Sequence, residues 1–388
     1  MVTAAPSPAV PHGVRAARVR HLGPNWYASV MGTAAVGTAG AALPVSDGVP
    51  RGLFTAFWAL SFLLLVTLVA ARARHWAHHR DQARDHLLDP AMAPFYGCVS
   101  MALLVVGAGA LTLGRDWIGQ WAAVAVDTVL FTAGTAVGLA AAVVGPYLMA
   151  VHHRVEAAQA TPVWLLPLVP PMVSAACGPL LVPHLPPGQA RETLLLACLA
   201  LFGLSLLAAL LMLPLVFARL LTAGPLPLTL TPTLFLVLGP LGQSATAVGL
   251  IADAAHGVVP AAYERGLGVL AVLYGVPVTG FALLWLAFSS AHVVRARRQG
   301  MGFAMTWWAF TFPLGTCVTG TAALARHTRL ACYDALAVGL YALLVVAWGA
   351  AARGTVRGLL SGALLAGPRP APAAPRPGSD RTRSGAVR

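Results

Sequence analysis

Ten apolar stretches recur along this 388-residue chain, and each is long enough to cross the hydrocarbon layer of a membrane as a helix. Alternate stretches begin near Pro24, Met92, Pro162, Thr231 and Met305, which gives a repeat of about 70 residues. Each repeat has room for two helices of about 20 residues and a connection. The period therefore predicts five helical hairpins arranged around a common axis.

The composition excludes an ordinary soluble domain, because 58% of the residues are hydrophobic and only 10% are charged. In hydrocarbon every backbone N–H and C=O must be paired, which leaves helices or closed barrels. Barrel strands alternate polar and apolar residues, whereas these stretches are continuously apolar. We therefore predict an all-α integral membrane protein with ten transmembrane helices. The predicted spans are 24–44, 52–71, 92–113, 117–150, 162–184, 191–221, 231–253, 264–291, 304–325 and 332–352.

The net charge of +13 comes from 25 basic residues, all arginine, against 12 acids. In a soluble protein this balance would suggest a nucleic-acid partner. With a cytoplasmic N-terminus and ten crossings, however, 19 arginines fall inside and six outside, which is the positive-inside bias. We predict a multi-pass protein of the plasma or inner membrane with both termini cytoplasmic, and no nucleic-acid partner.

Three regions follow from this assignment. Residues 1–23 form a cytoplasmic N-terminal segment that lacks the apolar core and cleavage site of a signal peptide. Residues 24–352 form the transmembrane domain. Residues 353–388 are basic and rich in Pro, and we expect a disordered cytoplasmic tail.

The odd-numbered spans are rich in Gly, Ser, Thr and Pro, whereas the even-numbered spans favour Leu, Val, Ala and aromatic residues. Small residues let helix backbones approach closely, and proline interrupts the hydrogen-bond ladder. The contrast predicts an inner ring of odd helices around a central pore and an outer ring of even helices; the alternative is that the small residues serve close packing alone. The predicted helix kinks are Pro170, Pro171, Pro240 and Pro313.

The apolar middles of the odd spans contain no Arg or Lys. Anion selectivity would have to come from hydroxyls, a side-chain amide, backbone N–H groups at kinks and helix dipoles. Such weak sites favour a channel-like or uniport conductor. The predicted pore-lining residues are Ser29, Thr33, Ser100, Ser174, Gln243, Ser244, Thr316 and Thr319.

Particular strings carry a resemblance to a known family. The two longest are 21–33 (His-Leu-Gly-Pro-Asn-Trp-Tyr-Ala-Ser-Val-Met-Gly-Thr) and 307–315 (Trp-Trp-Ala-Phe-Thr-Phe-Pro-Leu-Gly), and further matches begin at Pro94, Leu165 and Gly239. They fall on all five odd spans in order. Over residues 21–352 the chain resembles the tellurite-resistance/dicarboxylate transporter family, which includes plant slow anion channels, yeast malate carriers, sulfite exporters and bacterial tellurite-resistance proteins.

The resemblance implies a homotrimer whose subunits each have a central pore made by the five odd helices. It implies transport of small anions, such as malate and other C4-dicarboxylates, sulfite or tellurite-type oxyanions, without a cofactor or enzymatic activity. A Phe of the ninth helix closes the pore in channel-like members. The motif assigns that gate to Phe312, with Phe310 as the second choice; the alternative is that Phe312 faces lipid or packs between helices.

Asp127 is the one acid well inside a predicted span, where an unpaired charge costs roughly 2.5–3.5 kcal/mol on insertion scales. One hypothesis is a proton-coupled dicarboxylate or sulfite carrier that uses Asp127. The other is a hydrogen bond that joins the fourth helix to a neighbour.

His75, His78 and His79, with His86 downstream, resemble an iron-binding box and allow the alternative of a membrane-bound metal-dependent oxidoreductase. The favoured interpretation is a solvated, pH-sensitive basic loop without a metal. The chain lacks lysine and hence the nucleotide-binding P-loop string, which argues against ATP-driven transport. We interpret the cysteines as small apolar packing residues. They are Cys98, Cys177, Cys198, Cys317 and Cys332.

Overall fold

The computed structural model describes residues 22–44, 50–153, 156–362 and 364. Most of the predicted N-terminal segment and of the predicted tail lies outside these residues. The last helix continues to Leu360, so the chain stays helical past the predicted domain boundary at residue 352.

All regular elements within the described ranges are helical. The helix Tyr96–Gly109 is extended by a π-helical turn, Ala110–Gly114, and by one α-helical turn, Arg115–Ile118, which receives no label of its own. The α-helices are α1 Tyr27–Ala41, α2 Arg51–His78, α3 Arg80–Leu88, α4 Tyr96–Gly109, α5 Gln120–Leu148, α6 Pro170–Cys177, α7 Gln189–Thr222, α8 Leu238–Ala254, α9 Ala261–Arg298, α10 Thr311–Thr328 and α11 Ala331–Leu360.

Seven helical segments are long and apolar enough to cross a membrane, which makes the chain a multi-pass helical membrane protein. These segments contain α2, α4, α5, α7, α8, α9 and α11. The first, fifth and ninth predicted spans correspond to α1, α6 and α10, which have 15, 8 and 18 residues. For these three, length and hydropathy alone do not establish a crossing.

Five helices pack in a closed cycle. Helix α1 contacts α4, α4 contacts α6, α6 contacts α8, α8 contacts α10, and α10 contacts α1. These are the helices of the odd, small-residue-rich spans. The cycle therefore encloses an axis, and we call these five the inner helices.

The remaining long helices lie outside the cycle, and each packs against two successive inner helices. Helix α2 contacts α1 and α4, α5 contacts α4 and α6, α7 contacts α6 and α8, α9 contacts α8 and α10, and α11 contacts α10 and α1. The most apolar windows of α4 and α8 are 83% buried, whereas those of the outer helices are only 11–33% buried. The outer helices thus carry the apolar surface that a bilayer would cover.

Each inner helix follows a 3₁₀ segment. The α-helix begins directly after it in four cases and after a short turn in α6. Prolines predicted as kinks lie close to these junctions: Pro170 and Pro171 open α6, and Pro240 and Pro313 are each the third residue of their helix. Proline is favoured in the first turn of a helix, because its fixed φ is already close to the helical value. The 3₁₀ segments are Pro24–Trp26, Ala93–Phe95, Pro162–Leu165, Thr231–Val237 and Met305–Phe310.

The interior helix prolines are found instead in outer helices, at Pro146, Pro214 and Pro277. The sequence prediction merged each 3₁₀ segment with the following α-helix into one span, which placed the inner prolines deeper in a helix than they are.

Glycines allow the inner helices to touch through their backbones. A Cβ at Gly242 on α8 would overlap the backbone of Thr316 and Cys317 on α10. A Cβ at Gly97 would overlap the carbonyl of Leu166. Larger residues would push the inner helices apart and open gaps in the ring.

Candidate functional site on the axis of the inner helices

A cavity of about 200 Å³ lies on the axis, where the inner helices end. We call it the C-terminal cavity. Each inner helix contributes to its wall, for example through Ala35, Val105, Val173, Gln243 and Phe312. Most of the wall is apolar. Its polar residues are Thr38, Thr112, Gln243, Thr246, Thr316, Thr319 and Arg326.

A smaller cavity of about 40 Å³ lies on the same axis, where the inner helices begin. We call it the N-terminal cavity. Its wall is apolar apart from Thr233 and Thr306 and includes Phe95, Leu165 and Met305 near the 3₁₀ segments. Each inner helix, together with the segment directly before it, contributes earlier residues to the N-terminal cavity and later residues to the C-terminal cavity, so the five helices run in the same direction.

Phe312 is the one described residue that lines both cavities. Only 6% of it is exposed, so its side chain occupies the space between the two. Phe310 lines neither cavity, and its ring packs edge-on against Phe235 at a centroid distance of 4.8 Å. Of the two candidate gates, Phe312 alone lies on the axis.

Three of the predicted pore-lining residues line the C-terminal cavity, namely Gln243, Thr316 and Thr319. The other five line neither cavity. Ser29 and Ser244 donate to backbone carbonyls of their own segments, Trp26 O at 2.7 Å and Leu241 O at 2.9 Å.

The remaining three bond to outer helices. Thr33 accepts from Trp348 Nε1 at 3.1 Å, Ser100 donates to Gly134 O at 2.6 Å, and Ser174 accepts from Thr135 at 2.9 Å. Sequence reasoning found polar residues on the correct helices but could not tell the axial face from the face toward the outer ring. It also missed Thr38, Thr112, Thr246 and Arg326.

The threonine hydroxyl groups of the C-terminal cavity already donate their protons to acceptors within the protein. Thr38 donates to Ala34 O and Thr112 to Ala108 O, both at 3.0 Å. Thr316 donates to Pro313 O at 2.7 Å. A hydroxyl has a single proton, so these groups present oxygen lone pairs to the cavity.

Thr246 and Thr319 bond to each other at 2.7 Å, and each also reaches a backbone carbonyl. Gln243, in contrast, makes no side-chain hydrogen bond within the described part of the chain. Its amide carries two N–H donors, which makes it the uncharged donor available to an anion in this cavity.

Asp127 on α5 is fully buried and lines neither cavity. Neither carboxylate oxygen has a hydrogen-bond partner among the described residues. The predicted hydrogen bond to a neighbouring helix is therefore absent from this part of the chain. The carboxyl group faces Gly107 of α4, where a Cβ would lie 2.6 Å from Oδ1.

His75 and His78 lie on α2 and His86 on α3, with only His79 between the two helices, so the predicted basic loop is wrong. His75 is fully buried, with its ring stacked on His86 at 5.7 Å. Its Nδ1 is 3.2 Å from the guanidinium of Arg72, which also donates to Leu22 O and the Tyr96 hydroxyl. Arg72, held beside His75, thus ties α2 to the chain before α1 and to α4. No group of three or more His, Cys, Asp or Glu side chains in the described ranges could hold a metal ion, so the geometry gives no support to an oxidoreductase.

The comparison with known families decides the identity. The SLAC1 family, described as voltage-dependent anion channels, matches residues 21–356, which include all five inner helices and the outer helices up to the last turn of α11. The chain belongs to the SLAC1 family. The resemblance to tellurite-resistance/dicarboxylate transporters is thereby confirmed. As a SLAC1 protein, the chain transports anions across a membrane.

Individual relatives of this SLAC1 protein are similar along nearly their whole length. An uncharacterized transporter of Methanocaldococcus jannaschii is 26% identical over 339 residues, which cover 85% of this chain and 91% of the relative. Sulfite efflux pumps of Trichophyton rubrum and Arthroderma otae are each 24% identical, over 344 and 340 residues, and cover 85% of this chain and 88% of the relative.

Proposed function

We propose that the protein conducts small oxyanions, with sulfite as the leading substrate, along the axis of the inner helices, and that Phe312 is the gate. The observation that carries this proposal is the position of Phe312 between the two axial cavities. The similarity to sulfite efflux pumps supports the substrate.

The pathway operates as a channel or uniporter. Conduction requires binding that is strong enough to admit an ion and weak enough to release it. The middle of the C-terminal cavity offers an anion one free uncharged donor, Gln243, and its volume of about 200 Å³ has room for a small oxyanion with several waters. This wall is suited to weak, transient binding.

The full topology has ten crossings. Helices α1, α6 and α10, with their 3₁₀ segments, span the membrane beside α4 and α8, with which they form one closed cycle. Both termini lie in the cytoplasm, which the arginine distribution supports, and the protein lies in the plasma or inner membrane. The subunit assembles as a homotrimer, as the sequence resemblance implies, with the exposed apolar faces of outer helices shared between lipid and neighbouring subunits.

A flux assay tests the substrate. Purified protein in liposomes is compared for sulfite, malate, tellurite, nitrate and chloride, with empty liposomes as the control. We expect sulfite flux above that of malate, because sulfite is the smaller anion and sulfite efflux pumps are among the relatives. Flux of malate but not of sulfite would assign malate as the substrate instead of sulfite. A protein that carries none of these anions would contradict the proposal.

A second candidate is a proton-coupled dicarboxylate or sulfite carrier that uses Asp127. The observation in its favour is a fully buried carboxyl group without a hydrogen-bond partner among the described residues. Such a group is expected to be neutral, because an unpaired charge in the membrane interior is costly. A proton gradient across the liposomes separates the candidates, since it drives uphill sulfite movement only in a coupled carrier.

A further inference from the structure

Arg326 is the only charged residue among the described side chains that line the two axial cavities. It lies near the end of α10, on the wall of the C-terminal cavity, and 46% of its side chain is exposed. The residue is therefore accessible both from the cavity and from the solution outside it.

Its charge is only loosely neutralised. Nη2 of Arg326 lies 3.2 Å from Oδ2 of Asp253 on α8, and 41% of the Asp253 side chain is exposed. The other oxygen of Asp253 is 3.2 Å from Nε2 of His327, so one carboxylate is shared by two partners. No other described residue accepts a hydrogen bond from Arg326, which leaves the rest of the guanidinium available.

We propose that Arg326 is an anion-binding residue at the mouth of the C-terminal cavity and that Asp253 competes with the transported anion for its guanidinium group. This inference rests on the proposed function, because it adds a binding step to the same pathway. A guanidinium presents planar, paired N–H donors that match the oxygens of an oxyanion such as sulfite. An incoming anion replaces Asp253 on those donors and next meets the amide of Gln243 on the cavity wall.

The strength of this site fits conduction. Ion pairs between exposed side chains are weak, so displacing Asp253 costs little, and for the same reason the bound anion leaves readily. Asp253 also lowers the positive potential that an approaching anion experiences. Removing the arginine and removing the aspartate should therefore shift anion affinity in opposite directions.

The test compares three variants of the full chain in liposomes, with sulfite flux measured against sulfite concentration. Arg326→Gln removes the cavity charge. Arg265→Gln removes an exposed arginine near the start of α9, at the same end of the molecule but outside both cavities, and is the matched control. Asp253→Asn removes the competitor.

At low ionic strength we expect Arg326→Gln to raise the half-saturating sulfite concentration about three- to tenfold, because a charge at the rim governs association. Added salt should shrink this difference, since it screens exposed charges. Asp253→Asn should lower the half-saturating concentration about threefold for the same reason. Arg265→Gln should stay within about twofold of the wild type.

An Arg326→Gln curve that matches Arg265→Gln overturns the inference, and so does an Asp253→Asn variant that binds no more tightly than the wild type. A misfolded protein would not show the lower half-saturating sulfite concentration expected of Asp253→Asn. This variant therefore distinguishes the proposed role from simple damage to the fold. A conducting wild type with unaltered variants refutes only the role of Arg326. A wild type that conducts no anion refutes the proposed function and this inference with it.

Discussion

Phe310 and Phe312 are two residues apart, yet only Phe312 separates the two axial cavities, while Phe310 packs edge-on against Phe235. The difference arises at the junction where the 3₁₀ segment Met305–Phe310 gives way to α10. Two identical side chains within one helical turn therefore provide an internal comparison between a gate and a packing residue.

Replacing Phe312 with Ala is expected to join the cavities and raise anion flux severalfold. The substitution removes the one described side chain that lines both cavities, so ions no longer have to displace an aromatic ring. The measurement is initial sulfite or chloride flux in liposomes. Phe310→Ala is the matched control and should cost about 3–5 kcal/mol of stability without raising flux. Equal flux increases in both variants, or a well-folded Phe312→Ala protein with unchanged flux, would contradict the gate.

Gly242→Ala is expected to destabilise the ring by about 1–3 kcal/mol, because the added methyl group meets the backbone of α10 rather than a movable side chain. Thermal unfolding in detergent should show a lower midpoint. Gly239→Ala, on the same helix, meets nothing within 4 Å and should unfold like the wild type. Similar midpoints for both variants would mean that α8 and α10 can separate at little cost.

The topology can be tested with natural cysteines. Cys332 is exposed, whereas Cys98, Cys177, Cys198 and Cys317 are buried. Ten crossings from a cytoplasmic N-terminus place Cys332, after α10, outside the cell. A membrane-impermeant maleimide should label intact cells at this residue, and Cys332→Ser should abolish the label. Labelling that requires permeabilised cells would reverse the proposed orientation.

Asp127→Asn is expected to leave both stability and the pH profile of sulfite flux unchanged. The amide has nearly the same shape as the neutral acid, and the position lines neither cavity. Flux measured between about pH 5 and pH 8, the range in which perturbed acids commonly act, checks this expectation. A pH profile that changes in a folded Asp127→Asn protein would favour the proton-coupled carrier instead.

The sequence predicted a helical membrane protein and its family, because both depend on patterns spread over the whole chain. Continuous apolar runs are enough to indicate helices in a bilayer, and the five motif strings recur in order. The motif strings also singled out Phe312 from the other phenylalanines of the chain.

The orientation of individual side chains was not predictable in the same way. Thr33 and Thr38 lie on one helix with similar neighbours in sequence, yet Thr33 accepts from Trp348 on an outer helix and Thr38 lines the C-terminal cavity. Almost every residue of an inner helix is buried on all sides, so no polar stripe marks the face toward the axis. That choice depends on which helix lies opposite, which only the folded structure provides.

Contacts between side chains far apart in the sequence were not predictable either. Arg326 and Asp253 are 73 residues apart, and each looks like an ordinary charge at a helix end. Their proximity, and the position of Arg326 on the cavity wall, follow from the packing of α8 against α10.

The threonines of the C-terminal cavity give their protons to acceptors within the protein, so only Gln243 and Arg326 among the described residues of this wall can donate to an ion in place of water. An anion in that space keeps much of its hydration shell. We therefore expect the protein to discriminate among anions more by their hydrated size and hydration energy than by fitted coordination.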